Sequence, residues 1–302
     1  MKSNSKNQKI VPFLWFDNRA EEAVEFYTSI FPNSRIDFLN RWPKGGPFPE
    51  NSVQTAGFSL DGTDFYAFDA GPQFKFTPSI SFFVVLETEE EFEALWKELE
   101  RGGKVQMPKD QYPWSPLYGW VNDRFGLSWQ LMLGKLSDVG QRVSPCLLFS
   151  GDRCGRAEEA LRLQMSLFED SSLHGISRYM AGADGPEGLV AHAQYSLGGK
   201  VFMAMDSGME FEAPFNEAIS LYVNCRDQEE VDFYWESLTA EGGAESQCGW
   251  LKDRFGISWQ IIPEFLSDKI SNGDPIRLGR MMEELWGMKK LDLAKLKEAY
   301  GN

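Results

Sequence analysis

An α+β fold of four β-α-β-β-β units in two tandem copies, closed by C-terminal helices, is predicted by three observations. The segment Asp123-Arg124-Phe125-Gly126-Leu127-Ser128-Trp129-Gln130 returns as Asp253-Arg254-Phe255-Gly256-Ile257-Ser258-Trp259-Gln260, with one conservative change. Upstream, Pro12-Phe13-Leu14-Trp15-Phe16 matches Pro145-Cys146-Leu147-Leu148-Phe149, and Ala20-Glu21-Glu22-Ala23 matches Ala157-Glu158-Glu159-Ala160. Within each copy, short apolar runs alternate with segments of helical periodicity. A repeat this long is a domain-sized module and not a solenoid unit. The modules span residues 10–136 and 142–267, and residues 274–302 form a helical tail. The short linker predicts that the copies pair within one chain.

Taking the first copy in order, residues 11–16 are an apolar strand running into Asp17-Asn18. Ala20, Ala23, Val24, Tyr27, Ile30 and Phe31 then recur at helical spacing. Asp17 or Asn18 is expected to cap that helix, with Glu21 and Glu22 favoured by its dipole. Residues 34–42, 53–60 and 63–68 are rich in aromatic or β-branched side chains, and Asp61-Gly62 is a hairpin turn. Residues 80–86 open the second unit, and residues 89–101 form a helix burying Phe92, Leu95, Trp96 and Leu99 before Gly102-Gly103. Three short strands follow near residues 105–107, 119–121 and 127–133, with residues 108–117 read as a loop carrying Gln111-Tyr112-Pro113-Trp114. The second copy repeats the order and lacks most of that loop. In the tail, Asp274-Pro275 opens an amphipathic helix with Leu278, Met281, Met282 and Leu285 on one side, and Asp292 caps a last short helix.

With 42% hydrophobic and 14% aromatic residues, a 302-residue chain can bury two cores, so it is not disordered. The polar start, Met1 to Lys9, does not read as a secretory signal, and no apolar run is long enough to span a bilayer, so a cytoplasmic location is expected. A net charge of −15 argues against nucleic-acid or anionic-membrane partners. Cys146, Cys154, Cys225 and Cys248 lack C-x-x-C spacing and are expected to be reduced thiols.

The unit order resembles the vicinal oxygen chelate superfamily, the glyoxalase and bleomycin-resistance fold. Pro12-Phe13-Leu14-Trp15-Phe16-Asp17-Asn18, Ala20 to Tyr27, Trp250-Leu251-Lys252-Asp253-Arg254-Phe255-Gly256 and the tail Met288-Lys289-Lys290-Leu291-Asp292 resemble its PhnB-like family, also labelled 3-demethylubiquinone-9 3-methyltransferase. The resemblance implies that pairs of units curl into cups, and that enzymes of the superfamily hold a divalent metal with His, Gln or Glu. The implied metal positions carry Gln130 and Gln260 on the eighth strand, Pro12 and Pro145 where His is usual, and Ser79, Ser81, Ala218 or Ser220 on the fifth. Neutral amides and hydroxyls bind transition metals poorly, so neither a metal nor another cofactor is expected. His174 and His192, the two histidines, read as structural or surface groups.

Asp69 and Asp206 recur near the end of the fourth strand, either as a general base at a cup mouth or as turn residues before glycine. Asp123 and Asp253 suit the turn that Gly126 and Gly256 complete. Gln130 and Gln260 alternate with Trp129 and Trp259, which puts the amides on the cup side, toward ligand or other protein groups. Trp15, Tyr112 and Trp114 are assigned to one apolar first cup. The expected function is metal-independent binding of a small hydrophobic or planar molecule. The alternative is a lyase, isomerase or dioxygenase of the same fold using Asp69 or Asp206. The sequence leaves open whether there is catalysis and whether the chain forms a homodimer. The methyltransferase label gains no support from the first strand, which runs into Asp17-Asn18-Arg19 and not into a glycine-rich turn.

Overall fold

The computed structural model describes residues 8–42, 44–45, 48–183, 185–208 and 214–301; the sequence reading of the N-terminal residues 1–7 lies outside these. In chain order the elements are β1 (Ile10–Phe16), α1 (Ala20–Ile30), β2 (Arg35–Arg41), β3 (Val53–Leu60), β4 (Thr63–Asp69), β5 (Ile80–Leu86), α2 (Glu89–Glu100), β6 (Lys104–Tyr112), β7 (Ser115–Asn122), β8 (Ser128–Leu133) and α3 (Leu136–Val139). The second copy follows with β9 (Val143–Phe149), α4 (Ala157–Leu167), β10 (Ser172–Arg178), β11 (Val190–Leu197), β12 (Lys200–Asp206), β13 (Ile219–Cys225), α5 (Gln228–Thr239), β14 (Ala244–Glu245), β15 (Trp250–Lys252) and β16 (Ser258–Pro263). Helices α6 (Glu264–Asn272), α7 (Pro275–Trp286) and α8 (Leu293–Tyr300) end the chain. Among the described residues, no helix is long and apolar enough to cross a membrane.

The chain divides into two compact units, Leu14–Ile219 and Met1–Phe13 with Ser220–Asn302, the boundary falling inside β1 and at the first residue of β13. In the larger unit, an eight-stranded sheet runs β10-β11-β12-β9-β5-β8-β7-β6. At its centre β5 and β9 pair antiparallel, with Ser81 opposite Cys146 and Phe83 opposite Ser144. This sheet therefore joins the second unit of the first copy to the first unit of the second. Strands β5 and β8, and β12 and β9, pair in parallel.

One face of that sheet is packed. Buried Phe82 and Trp129 meet there, and Phe65 of β4 and Tyr27 and Phe31 of α1 close around them. Gly119 lets the backbone of β7 approach the Trp96 ring of α2, where a Cβ would lie 2.4 Å from a ring carbon. Phe92, Leu95, Trp96 and Leu99 are buried on α2, as the periodicity predicts, each contributing about 1.5–3 kcal/mol. The smaller unit holds β13 parallel to β16, the short β14 and β15, α5 and the tail. Gln228 ties the tail down: its amide donates to Leu291 O and accepts from Leu293 N.

Helix capping follows two schemes. Thr88 and Asp227 cap α2 and α5 from the adjacent position, and Asp274 and Asp292 cap α7 and α8 as the sequence suggests. For α1 the expectation is corrected. Asn18 sits at φ 54°, Arg19 takes the cap position without a side-chain capping bond, and the Ala20 amide donates to Asp69 at 2.9 Å. Residues 108–117 are also not a loop, because β6 and β7 form a hairpin in which Tyr112 pairs with Ser115. Its exposed, polar β6 lacks the alternation that marks a strand.

Candidate functional site

The second face of the larger unit's sheet carries a mostly buried apolar cluster, built by alternation, and is the candidate cup. On β11, buried Tyr195 donates its hydroxyl to Gln164 of α4, so His192 and Gln194 project to the opposite side. On that side Phe83, Tyr118, Trp120, Cys146, Leu148 and Met203 form one apolar cluster, with Val139 of α3 packed into it. Partly buried Met107, Tyr112, Met132, Val201 and Met205 complete the lining. A pocket of about 430 Å³, lined by Trp114, Pro116, Met132 and Val139 together with Glu87, Lys135 and Asp138, opens at the edge of this cluster.

A short polar chain lies within this apolar surface. Gln130 Oε1 accepts the Tyr118 hydroxyl at 2.7 Å, and its Nε2 donates to Ser81 Oγ at 2.8 Å. Trp120 Nε1 donates to Ser128 Oγ at 2.7 Å. Burial pushes the Cys146 thiol up to about 12, so it is a neutral, unreactive group. His192 lies 5.9 Å from the Phe83 ring, and its buried Nε2 has no hydrogen-bond partner among the described residues. Burial lowers its pKa to about 4.

The donor set does not fit a divalent metal. Gln130, Ser81 and Tyr118 bond one another, and the one soft ligand beside them is the protonated Cys146. Among the described residues, no three His, Cys, Asp or Glu side chains come together.

The recurring residues fall into place in different ways. Gln130 is fully buried on the cup face, while Gln260, in the smaller unit, donates to Ser220 Oγ at 2.9 Å. Asp69 and Asp206 lie on the helix side of their strands. Asp69 accepts from the Ala20 and Val53 amides, and Asp206 from the Gly155, Ala157 and Val190 amides. Burial raises both carboxyls and the backbone bonds oppose it. Asp123 Oδ2 accepts from Trp129 Nε1 and the Tyr27 hydroxyl, and Oδ1 from the Phe125 and Leu127 amides. Asp253 likewise accepts from Trp259 Nε1 and the Phe255 and Ile257 amides, so repetition here reflects turn and core.

Trp15, Tyr112 and Trp114 do not share one cup. Trp15 stands on β1, donating to Gly71 O and meeting Phe68 and Phe74 edge-on at 4.9 Å. Tyr112 stacks on Trp114 at 5.0 Å and meets Tyr118 edge-on at 5.5 Å, at the rim of the larger unit's cup. Trp15 belongs to a different sheet from the β6–β7 hairpin that carries Tyr112 and Trp114, a long-range arrangement that no local pattern reveals. His192 and Tyr118 are not among the sequence candidates, although alternation along residues 190–197 sets His192 on the face opposite Tyr195.

Comparison with known proteins bears on the family and the fold. The family model described as 3-demethylubiquinone-9 3-methyltransferase matches residues 8–132 and again 141–262. Protein YjdN of Escherichia coli (strain K12) is 27% identical over 139 residues, 41% of this chain and 94% of that protein. A solved PhnB protein of Bacillus cereus is 43% identical, covering 42% of this chain and all of its own, with a TM-score of 0.41. Glyoxalase I from Zea mays covers 88% of this chain and 98% of its own at 10% identity and a TM-score of 0.57, a likeness of fold alone. With two matches that together span most of its length, the chain belongs to the family described as 3-demethylubiquinone-9 3-methyltransferase, as a tandem duplication with a glyoxalase-like fold.

Proposed function

We propose that the chain binds a small, largely apolar molecule in the cup of the larger unit, without a metal. The observation that carries this reading is the cup face itself: aromatic and methionine side chains, several only half-buried, surround few polar atoms. Methionine and aromatic side chains adapt to planar ligands through dispersion and sulfur contacts. A catalytic reading lacks a poised group here. Asp69 and Asp206 are bound to helix amides, and the Cys146 thiol is held neutral. A thermal-shift screen of neutral aromatic and aliphatic compounds tests the proposal, since a ligand that binds only the folded state raises Tm by linkage. Some planar compounds should raise Tm in the wild type and not in Cys146→Phe, where an added ring fills the cup. Equal shifts in both proteins would move the site elsewhere.

A further inference from the structure

His192 is the one feature of the cup that neither packing nor the polar chain explains. It projects from β11 on the face opposite Tyr195, beside Phe83 of the apolar cluster. Its Nε2 is buried and unpartnered among the described residues, and such an atom is costly unless something bonds it. The matching position on β3 is Thr55, whose hydroxyl donates to the adjacent Gln54 carbonyl at 2.7 Å. The imidazole is therefore a feature of one copy and one cup.

We propose that His192 Nε2 is the hydrogen-bonding anchor for an uncharged aromatic hydroxyl compound lying against Phe83. This rests on the cup being a ligand site. A hydroxyl both donates and accepts, so it satisfies either neutral tautomer of the imidazole. The lowered pKa keeps the ring neutral at pH 7, so it offers a carboxylate no ion pair to offset desolvation in the apolar cup.

The test titrates the full chain with 1-naphthol, naphthalene and 1-naphthoate, following tryptophan fluorescence. The wild type should bind 1-naphthol at least about tenfold more tightly than naphthalene, and 1-naphthoate more weakly than 1-naphthol, because a site built to bond a hydroxyl rejects analogues lacking it. His192→Phe should lose the naphthol preference and keep naphthalene affinity, and His192→Gln should recover part of the preference. Equal affinity for naphthol and naphthalene in the wild type would overturn the anchor and leave the cup reading standing. Binding of neither compound would overturn both. If His192→Phe fails to fold by circular dichroism, the ring nitrogen shifts of His192 decide in the wild type: they should move with naphthol and stay still with naphthalene. Shifts unmoved by naphthol would overturn the anchor.

Discussion

The same strand pair ends differently in the two units. Gln130 on Ser81 in the larger unit and Gln260 on Ser220 in the smaller are equivalent bonds, at 2.8 and 2.9 Å. Around the second pair, Phe13 stacks on Tyr222 at 5.9 Å and meets Trp250 edge-on at 6.2 Å, and the Tyr222 hydroxyl bonds Ser267 of α6. Around the first, the positions of Phe13 and Tyr222 carry Cys146 and Phe83, and the tyrosine comes instead from Tyr118. Replacing a phenylalanine by a cysteine removes a ring from the centre of the sheet face. The two copies thus fill the same face with different side chains: two rings at Phe13 and Tyr222 in one, a cysteine and a phenylalanine at Cys146 and Phe83 in the other.

The largest effect expected from this contrast is on stability. Phe13→Ala should cost about 3–5 kcal/mol in urea denaturation through loss of the buried ring. Cys146→Ala at the matching position should cost about 1 kcal/mol. Comparable losses would mean the larger unit's face is as tightly filled as the smaller unit's.

A pH effect comes next. With its folded pKa lowered to about 4 from 6.5, His192 stays neutral in the fold while the unfolded chain takes up a proton. Stability should therefore fall as pH drops from about 6.5 towards 4, by at most about 3 kcal/mol, and the loss should level off below that. The raised carboxyls Asp69, Asp123 and Asp206 act with opposite sign, so the difference between wild type and His192→Phe is what isolates the histidine. A pH-independent difference would show that the imidazole is solvated.

Smaller again is the amide contrast. Gln130→Leu leaves both Ser81 and Tyr118 without their bond to the amide, against Ser220 for Gln260→Leu, so losses of about 2 and about 1 kcal/mol are expected. Trp114 is 57% exposed, so Trp114→Ala should change stability by less than about 0.5 kcal/mol. It should weaken a cup ligand by about 1 kcal/mol through the lost aromatic rim.

How far the molecule was legible in its sequence follows from which forces are local. The aromatic and β-branched runs of β3 and β4, the Asp61-Gly62 turn, and the amphipathic α2 and α7 are encoded by neighbours in the chain, and they stand where the pattern puts them. The repeat also reads correctly as four units. The pairing of β5 with β9 is set by packing between distant segments, so the cup combining Tyr112 and Trp114 of the first copy with His192 of the second had no local signature. Capping of α1 by Asp69, forty-nine residues on, escaped for the same reason. The Gln–Trp alternation did place both amides on the face away from the tryptophans, and only the structure shows which protein groups hold them.

We propose a ligand site on one of these faces, the larger unit's, and none on its counterpart. Calorimetric titration of the full chain with 1-naphthol tests it most directly. One site per chain is expected, lost in Cys146→Phe and kept in Gln260→Leu. Two equivalent sites, or a single site untouched by Cys146→Phe in a protein that remains folded, would contradict it.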